Sequence, residues 1–172
     1  MIRPARPADV PEILTMIAEL AAYEREPDAA VATAAQLDAA LFGPAPAVFA
    51  RIATEPTGSG DAESIVGMAV YFRTFSTWTG THGIWLEDLY VRPGARGGGH
   101  GKRLLAALAQ ECAANGYQRL EWTVLDWNAP AIGFYRSIGA VPMDEWTTQR
   151  LTGEALEALA ASAVPSVAAD GA

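Results

Sequence analysis

The sequence is poor in the residues that build disulfides and metal centres. Its 172 residues include one cysteine, Cys112, and two histidines, which excludes an intrachain disulfide and any Cys-rich zinc or iron–sulfur site. His82 and His100 have no third ligand at metal-type spacing, so no metal is expected. Cys112 lies on an apolar helical face and reads as inert core rather than as a nucleophile. Positive charge is scarce too. Twelve Lys plus Arg against 20 Asp plus Glu give a formal net charge of -8, which disfavours nucleic acid and anionic membrane and would attract a small cation. No window holds the roughly 18 apolar residues of a membrane span. The first residues, Met1-Ile2-Arg3-Pro4-Ala5-Arg6-Pro7, lack the apolar core of a signal peptide, so a soluble, cytoplasmic protein is the expectation.

What is abundant is apolar side chain. Hydrophobic residues make up 51% of the chain, charged residues only 19%, and there are five each of Trp, Tyr and Phe. Such a composition can bury a real core and suits a single domain of this length. Ile13, Leu14, Ile17, Leu20 and Ala21 recur at helical spacing behind Asp9, a candidate cap, and Pro11. Thr33 opens a second helix, Ala34 to Leu41, stopped at Gly43-Pro44. Strands are predicted at 48–52 and 65–75, joined by a turn over Thr57-Gly58-Ser59-Gly60-Asp61. Gly80-Thr81-His82-Gly83 then breaks the chain before a third run, Ile84 to Val91, which carries Glu87 and Asp88 in its middle. Leu104, Leu105, Leu108, Ala109 and Cys112 mark a helix that ends at Asn115-Gly116. A strand at 120–125, a helix capped by Asn128 and ended by Gly139, a strand near 146–151 and a helix at 153–161 complete the chain. No repeat or long linker divides it. The expectation is one α/β domain over 1–161 with a mixed, partly antiparallel sheet, followed by a loose tail at 162–172.

The chemistry is concentrated after the third run. Arg92-Pro93-Gly94-Ala95-Arg96-Gly97-Gly98-Gly99-His100-Gly101-Lys102 leads a strand into a helix N-terminus, where unpaired backbone N–H groups aligned with the helix dipole form an anion cradle. Glycine lets backbone approach phosphate closely, and Arg96 and Lys102 add positive charge. A P-loop would need Gly where Arg96 stands and Ser or Thr where Arg103 stands. The dinucleotide fingerprint would need a small residue in place of Lys102 and a position after the first strand. Both are excluded. Glu87 and Asp88, adjacent on a regular strand, should face opposite ways, so that only one could serve a given cavity.

Three segments together carry a resemblance: Glu87-Asp88-Leu89-Tyr90-Val91, then Arg96-x-x-Gly99-x-Gly101, then Asp126-Trp127-Asn128-x-Pro130-Ala131-Ile132-x-Phe134-Tyr135 with Gly139-Ala140. Their order and spacing resemble the GNAT superfamily of N-acetyltransferases, and within it the diamine group that includes the spermidine/spermine and thialysine enzymes. The likeness runs from about Ile2 to Leu159 and takes in Glu19-Leu20-Ala21-x-Tyr23-Glu24 and Trp78.

The resemblance implies a GNAT fold with splayed central strands, and acetyl-coenzyme A as co-substrate. Its diphosphate would lie on Arg96, Gly97, Gly98, Gly99, Gly101 and Lys102, and its pantetheine amides on the backbone near Leu89 and Val91, with Asn128 and Tyr135 completing the cofactor site. It points to Glu87 as the base that deprotonates the amine, through a water, and to Tyr135 as the acid that protonates the leaving thiolate. Without the resemblance, Tyr135 would read as a core aromatic and Asn128 as a helix cap. Glu24, Glu87, Asp88 and Trp78 would bind a small cationic amine, the acids by charge and the indole as an aromatic wall. A homodimer is implied as well. Two other functions stay open on the residues alone: a coenzyme A binding module without turnover, and a protein N-acetyltransferase.

Overall fold

The computed structural model describes residues 1–57 and 63–163. It divides into two compact units, Met1–Thr123 and Val124 onward. The first contains strands β1 (Ile2–Pro4), β2 (Phe49–Pro56), β3 (Glu63–Ser76), β4 (Thr81–Val91) and β5 (Leu120–Glu121), with helices α1 (Val10–Tyr23), α2 (Ala34–Phe42) and α3 (His100–Asn115). The second contains α4 (Ala129–Ser137) and α5 (Gly153–Ala161).

The sheet runs β1-β2-β3-β4-β5 and is mixed and open. The first three pairings are antiparallel, and β4 with β5 is parallel. On one face Val10, Ile13 and Met16 of α1 and Leu41 of α2 pack on Ala50, Ile52, Met68, Val70 and Tyr90. Arg51, between Ala50 and Ile52, points the other way and donates to Glu111 of α3 at 2.8 Å, so α3 covers the opposite face. There Leu104, Leu105 and Leu108 are buried, as are Ile84 and Leu86 of β4. Full burial of side chains such as Ile13 or Leu108 contributes about 2 kcal/mol each.

The helices begin and end where local chemistry dictates. Thr33 caps α2 in a capping box with Gln36, and Gly116, in the left-handed region, closes α3. Asp9 departs from expectation. It precedes α1 but caps none of its N–H groups; its carboxylate instead accepts from Arg6 N–H at 2.7 Å and from the Arg3 guanidinium at 2.7 and 2.9 Å. It ties β1 to α1.

Four strand expectations also differ. β2 runs on to Pro56 rather than ending at Ile52. β4 begins at Thr81, not Ile84, and Gly83 is buried within it. A Cβ at Gly83 would meet the Arg119 carbonyl oxygen and Thr74 Oγ1 at 3.0 Å, so this glycine permits close approach and is no breaker. β5 spans two residues rather than 120–125, and 146–151 forms no strand. Strand-like patterning becomes a strand only beside a neighbour that accepts its hydrogen bonds. Positions 58–61 of the expected turn and 164–172 of the expected tail lie outside the described residues.

Candidate active site

The ladder between β4 and β5 consists of Ile84 with Leu120 and Trp85 with Glu121. Beyond it, β5 ends while β4 continues through Leu89 and Val91 with no β5 partner. The chain then passes through a 3₁₀ turn at Pro93–Ala95 and an extended Arg96 into Gly97 and Gly99, at φ +81° and +77°, before α3 starts at His100. Only glycine adopts such angles cheaply. No side chain caps α3, and among the described residues the N–H groups from Gly97 to Lys102 have no hydrogen-bond acceptor. A Cβ at Gly97 would meet nothing within 4 Å. Open space over a row of unpaired donors at a helix N-terminus suits a phosphate group. Lys102 is exposed beside it.

Arg96 is more constrained than its place in the motif suggests. Its Nε–H donates to the Val91 carbonyl at 2.9 Å, and its guanidinium lies 5.1 Å from the Tyr23 ring centre and 5.8 Å from that of Tyr90. Below the turn, buried His100 places Nε2 2.6 Å from Glu55 Oε1 and Nδ1 3.1 Å from an Arg103 nitrogen. An arginine can only donate, so Nδ1 accepts and Nε2–H donates to Glu55. This anchors the turn to β2.

The two acids of β4 are not on a regular strand. Val70 pairs with Asp88 and the next residue, Tyr71, pairs with Leu86, leaving Glu87 as the extra residue of a β-bulge. Simple alternation therefore fails at this point. Glu87 is exposed and accepts from Trp85 Nε1–H at 2.9 Å. Asp88 is half-buried, and its carboxyl is pushed up to about 6, first by burial and then by the charges of Glu87 and Glu24. Glu24, the residue closing α1, is itself raised by burial. Glu24, Glu87 and Asp88 are thus brought together. Trp78 sits in the turn between β3 and β4 with 87% of its surface exposed.

In the second unit, Asn128 is buried and its side-chain oxygen accepts from Ala131 N–H at 3.3 Å, capping α4. Pro130 occupies the first turn, where a missing N–H costs nothing. Tyr135, in the last turns of α4, is half-buried, with its ring 5.3 Å from that of Phe134.

Residues 13–140 match the model of the acetyltransferase (GNAT) family. The chain belongs to this family. It is 37% identical over 166 residues to a thialysine N-epsilon-acetyltransferase of Sus scrofa, covering 93% of this chain and 96% of that one. It is 30% identical to an L-ornithine N5-acetyltransferase of Arabidopsis thaliana, over 92% and 86% of the two chains. An integron cassette protein structure from the mobile metagenome of V. cholerae superposes with a TM-score of 0.75 at 28% identity, over 94% of this chain and 98% of the other. As a GNAT acetyltransferase, the chain has the open mixed sheet and glycine turn that its sequence pattern implied.

Sequence reasoning missed several residues of this acetyltransferase. Tyr23 was a motif letter without a task, and its contact with Arg96 spans more than 70 positions. Sequence spacing tests His100 only as a metal ligand, and a buried imidazole between Glu55 and Arg103 leaves no local pattern. Arg92 was part of the basic segment, yet it pairs with Glu12 at 2.5 Å and Glu19 at 3.1 Å on α1. Among the described residues no cluster of three His, Cys, Asp or Glu could hold a metal ion, and no helix is long and apolar enough to cross a membrane. Two open cavities, of about 430 and 640 Å³, lie around Arg51 and Glu111, and neither is lined by the glycine turn, by Glu24, Glu87 or Asp88, or by Asn128 or Tyr135.

Proposed function

We propose that this acetyltransferase moves the acetyl group of acetyl-coenzyme A directly onto a primary amine of a small cation: a diamine, a polyamine or a thialysine-like amino acid. The observation that carries the substrate class is the convergence of Glu24, Glu87 and Asp88, where burial and two neighbouring carboxylates hold Asp88 near pH 6. Carboxylates forced together in this way are relieved by a bound ammonium group. The relatives named for thialysine and ornithine act on small amines of that kind.

The residues present fit the coenzyme. The unpaired amides from Gly97 to Lys102, Gly101 among them, hold the diphosphate, with the Lys102 ammonium adding charge. Arg96 braces the turn. The β4 backbone at Leu89 and Val91, which has no β5 partner, takes the pantetheine amides beside the Arg96 contact to the Val91 carbonyl, and we assign Asn128 and Tyr135 to the remainder of the cofactor site. Acetyl-coenzyme A, when bound, supplies an acyl group activated as a thioester. A backbone N–H of β4 then donates to the thioester oxygen as negative charge develops on it.

An alkyl ammonium titrates near pH 10 and cannot attack until it loses a proton. Glu87 receives that proton through a water, its carboxylate oriented by the Trp85 indole. Asp88 and Glu24 hold the ammonium charge, Trp78 walls the chain between, and Tyr135 returns a proton to the departing thiolate. We also propose a cytoplasmic homodimer. Residues 141–161 bury none of their side chains, and Met143, Trp146 and Leu159 are all more than 60% exposed, which favours a subunit contact; light scattering reads the mass directly.

The test of the function is thiol release from acetyl-coenzyme A across diamines, polyamines, thialysine, lysine, neutral amines and peptides. Release with small cationic amines alone supports the proposal. Release with peptides alone would indicate a protein N-acetyltransferase, and coenzyme binding with no release would indicate a module without turnover. Glu87→Gln should lower kcat, whereas Asp88→Asn should mainly raise the KM for the amine.

A further inference from the structure

We infer that Tyr23 is a positioning residue that couples the coenzyme turn to the amine site, so that a filled turn tightens amine binding. The inference rests on the function proposed above. Arg96 opens the glycine turn, and its guanidinium lies over Tyr23 and Tyr90 while its Nε–H holds the Val91 carbonyl. Tyr90 is buried in the core, 5% exposed. Tyr23 is 37% exposed and is the last residue of α1, directly before Glu24.

Movement at Tyr23 has to reach Glu24. The end of α1 is closed by Glu24 N–H to Leu20, Arg25 N–H to Ala22 and Glu26 N–H to Ala21, with Arg25 in the left-handed region at φ +69°. That arrangement is a tight helix-ending turn, which ties the backbone of Glu24 to that of Tyr23. Glu24 in turn acts on Asp88. Farther along α1, Arg92 pairs with Glu12 and Glu19, so the segment 92–96 grips the helix at its body and at its end. A diphosphate drawn onto Gly97–Lys102 biases Arg96, hence the Tyr23 ring, hence the carboxylate that receives the cation. Coupling of this kind is reciprocal for binding free energies.

The experiment is calorimetry with two probes, coenzyme A and thialysine, each titrated with and without the other. In the unaltered protein, saturating coenzyme A should tighten thialysine binding by about fivefold or more. Tyr23→Leu, which removes the aromatic face, should abolish that difference while binding coenzyme A alone nearly as before. Tyr23→Phe keeps the face and should restore the coupling, an outcome that a generally loosened helix would not give. Arg96→Gln should lose the coupling from the other side and serves if the leucine variant does not fold. Equal thialysine affinity with and without coenzyme A in the unaltered protein, or full coupling in Tyr23→Leu, overturns the inference and leaves the proposed function standing. Where thialysine does not bind, spermidine and a short diamine replace it in the same titrations; failure of coenzyme A to bind, or of all three amines to bind under any condition, overturns both.

Discussion

Replacing Asp88 by Asn should make the protein more stable and a poorer acceptor of cations. The Asp88 carboxyl is raised from 3.8 to about 6, chiefly by burial and then by Glu87 and Glu24. A folded-state value above the unfolded one means that the charged form is disfavoured by folding. The penalty is absent below about pH 4, grows between 4 and 6, and is fully present above 6. At about 1.4 kcal/mol per pH unit it amounts to about 3 kcal/mol, and partial solvent access reduces this to about 2 kcal/mol. Asn is close in shape and carries no charge. Asp88→Asn should therefore gain about 2 kcal/mol at pH 8, or about 4–8 °C in melting temperature for a chain of this size, and the gain should vanish at pH 4. Thermal melts of both proteins at the two pH values read this directly. A variant no more stable than the parent at pH 8, or equally favoured at pH 4, would show that the carboxylate is not the strained, cation-seeking group described here.

The Arg3–Asp9 pair should behave in the opposite sense. Arg3 hydrogen bonding first, and then the Arg6 N–H, hold the Asp9 carboxyl below its ordinary value, so its stabilisation is present above about pH 4 and is lost as pH falls through the depressed value. Asp9→Asn should cost roughly 2–4 kcal/mol in chemical denaturation at pH 7, because it leaves Arg3 with Glu63 as its remaining acid partner, and the difference from the parent should shrink at pH 3. For Tyr135, the phenylalanine variant should lose about 10²–10⁴ in kcat in the thiol-release assay while coenzyme A affinity in calorimetry falls far less; unchanged turnover would remove the hydroxyl from the reaction.

Much of this was legible in the residues because local rules govern it. The apolar spacing of α1 and α3, the Thr33 and Asn128 caps, and the glycines at 116 and 139 each encode a boundary in a few adjacent positions. The glycine turn was legible for the same reason, since its donors, its angles and its charges are all local. The bulge at Glu87 was not, because an extra residue exists only relative to the partner strand, and β4 taken alone is an apolar run with two adjacent acids in its middle. Gly83 misled in the same way, as the close approach of Arg119 and Thr74 is a tertiary fact. The stretch 146–151 has strand-forming residues without a ladder neighbour among the described residues. Arg96 was assigned to phosphate by its motif, and its contacts with Tyr23, Tyr90 and the Val91 carbonyl required the folded chain.

Acetyl transfer by this chain depends on the grip of the turn on a diphosphate, and the most direct measurement compares coenzyme A with pantetheine by calorimetry. Pantetheine has the same thiol arm and lacks both the diphosphate and the adenosine, so it should bind at least about a hundredfold more weakly, and 4′-phosphopantetheine, which restores one phosphate, should recover part of that loss. Gly99→Ala, which forces a side chain into φ +77°, should weaken coenzyme A by about tenfold and leave pantetheine unaffected. Equal affinity for coenzyme A and pantetheine, or an alanine variant that binds coenzyme A as well as the parent does, would contradict the account.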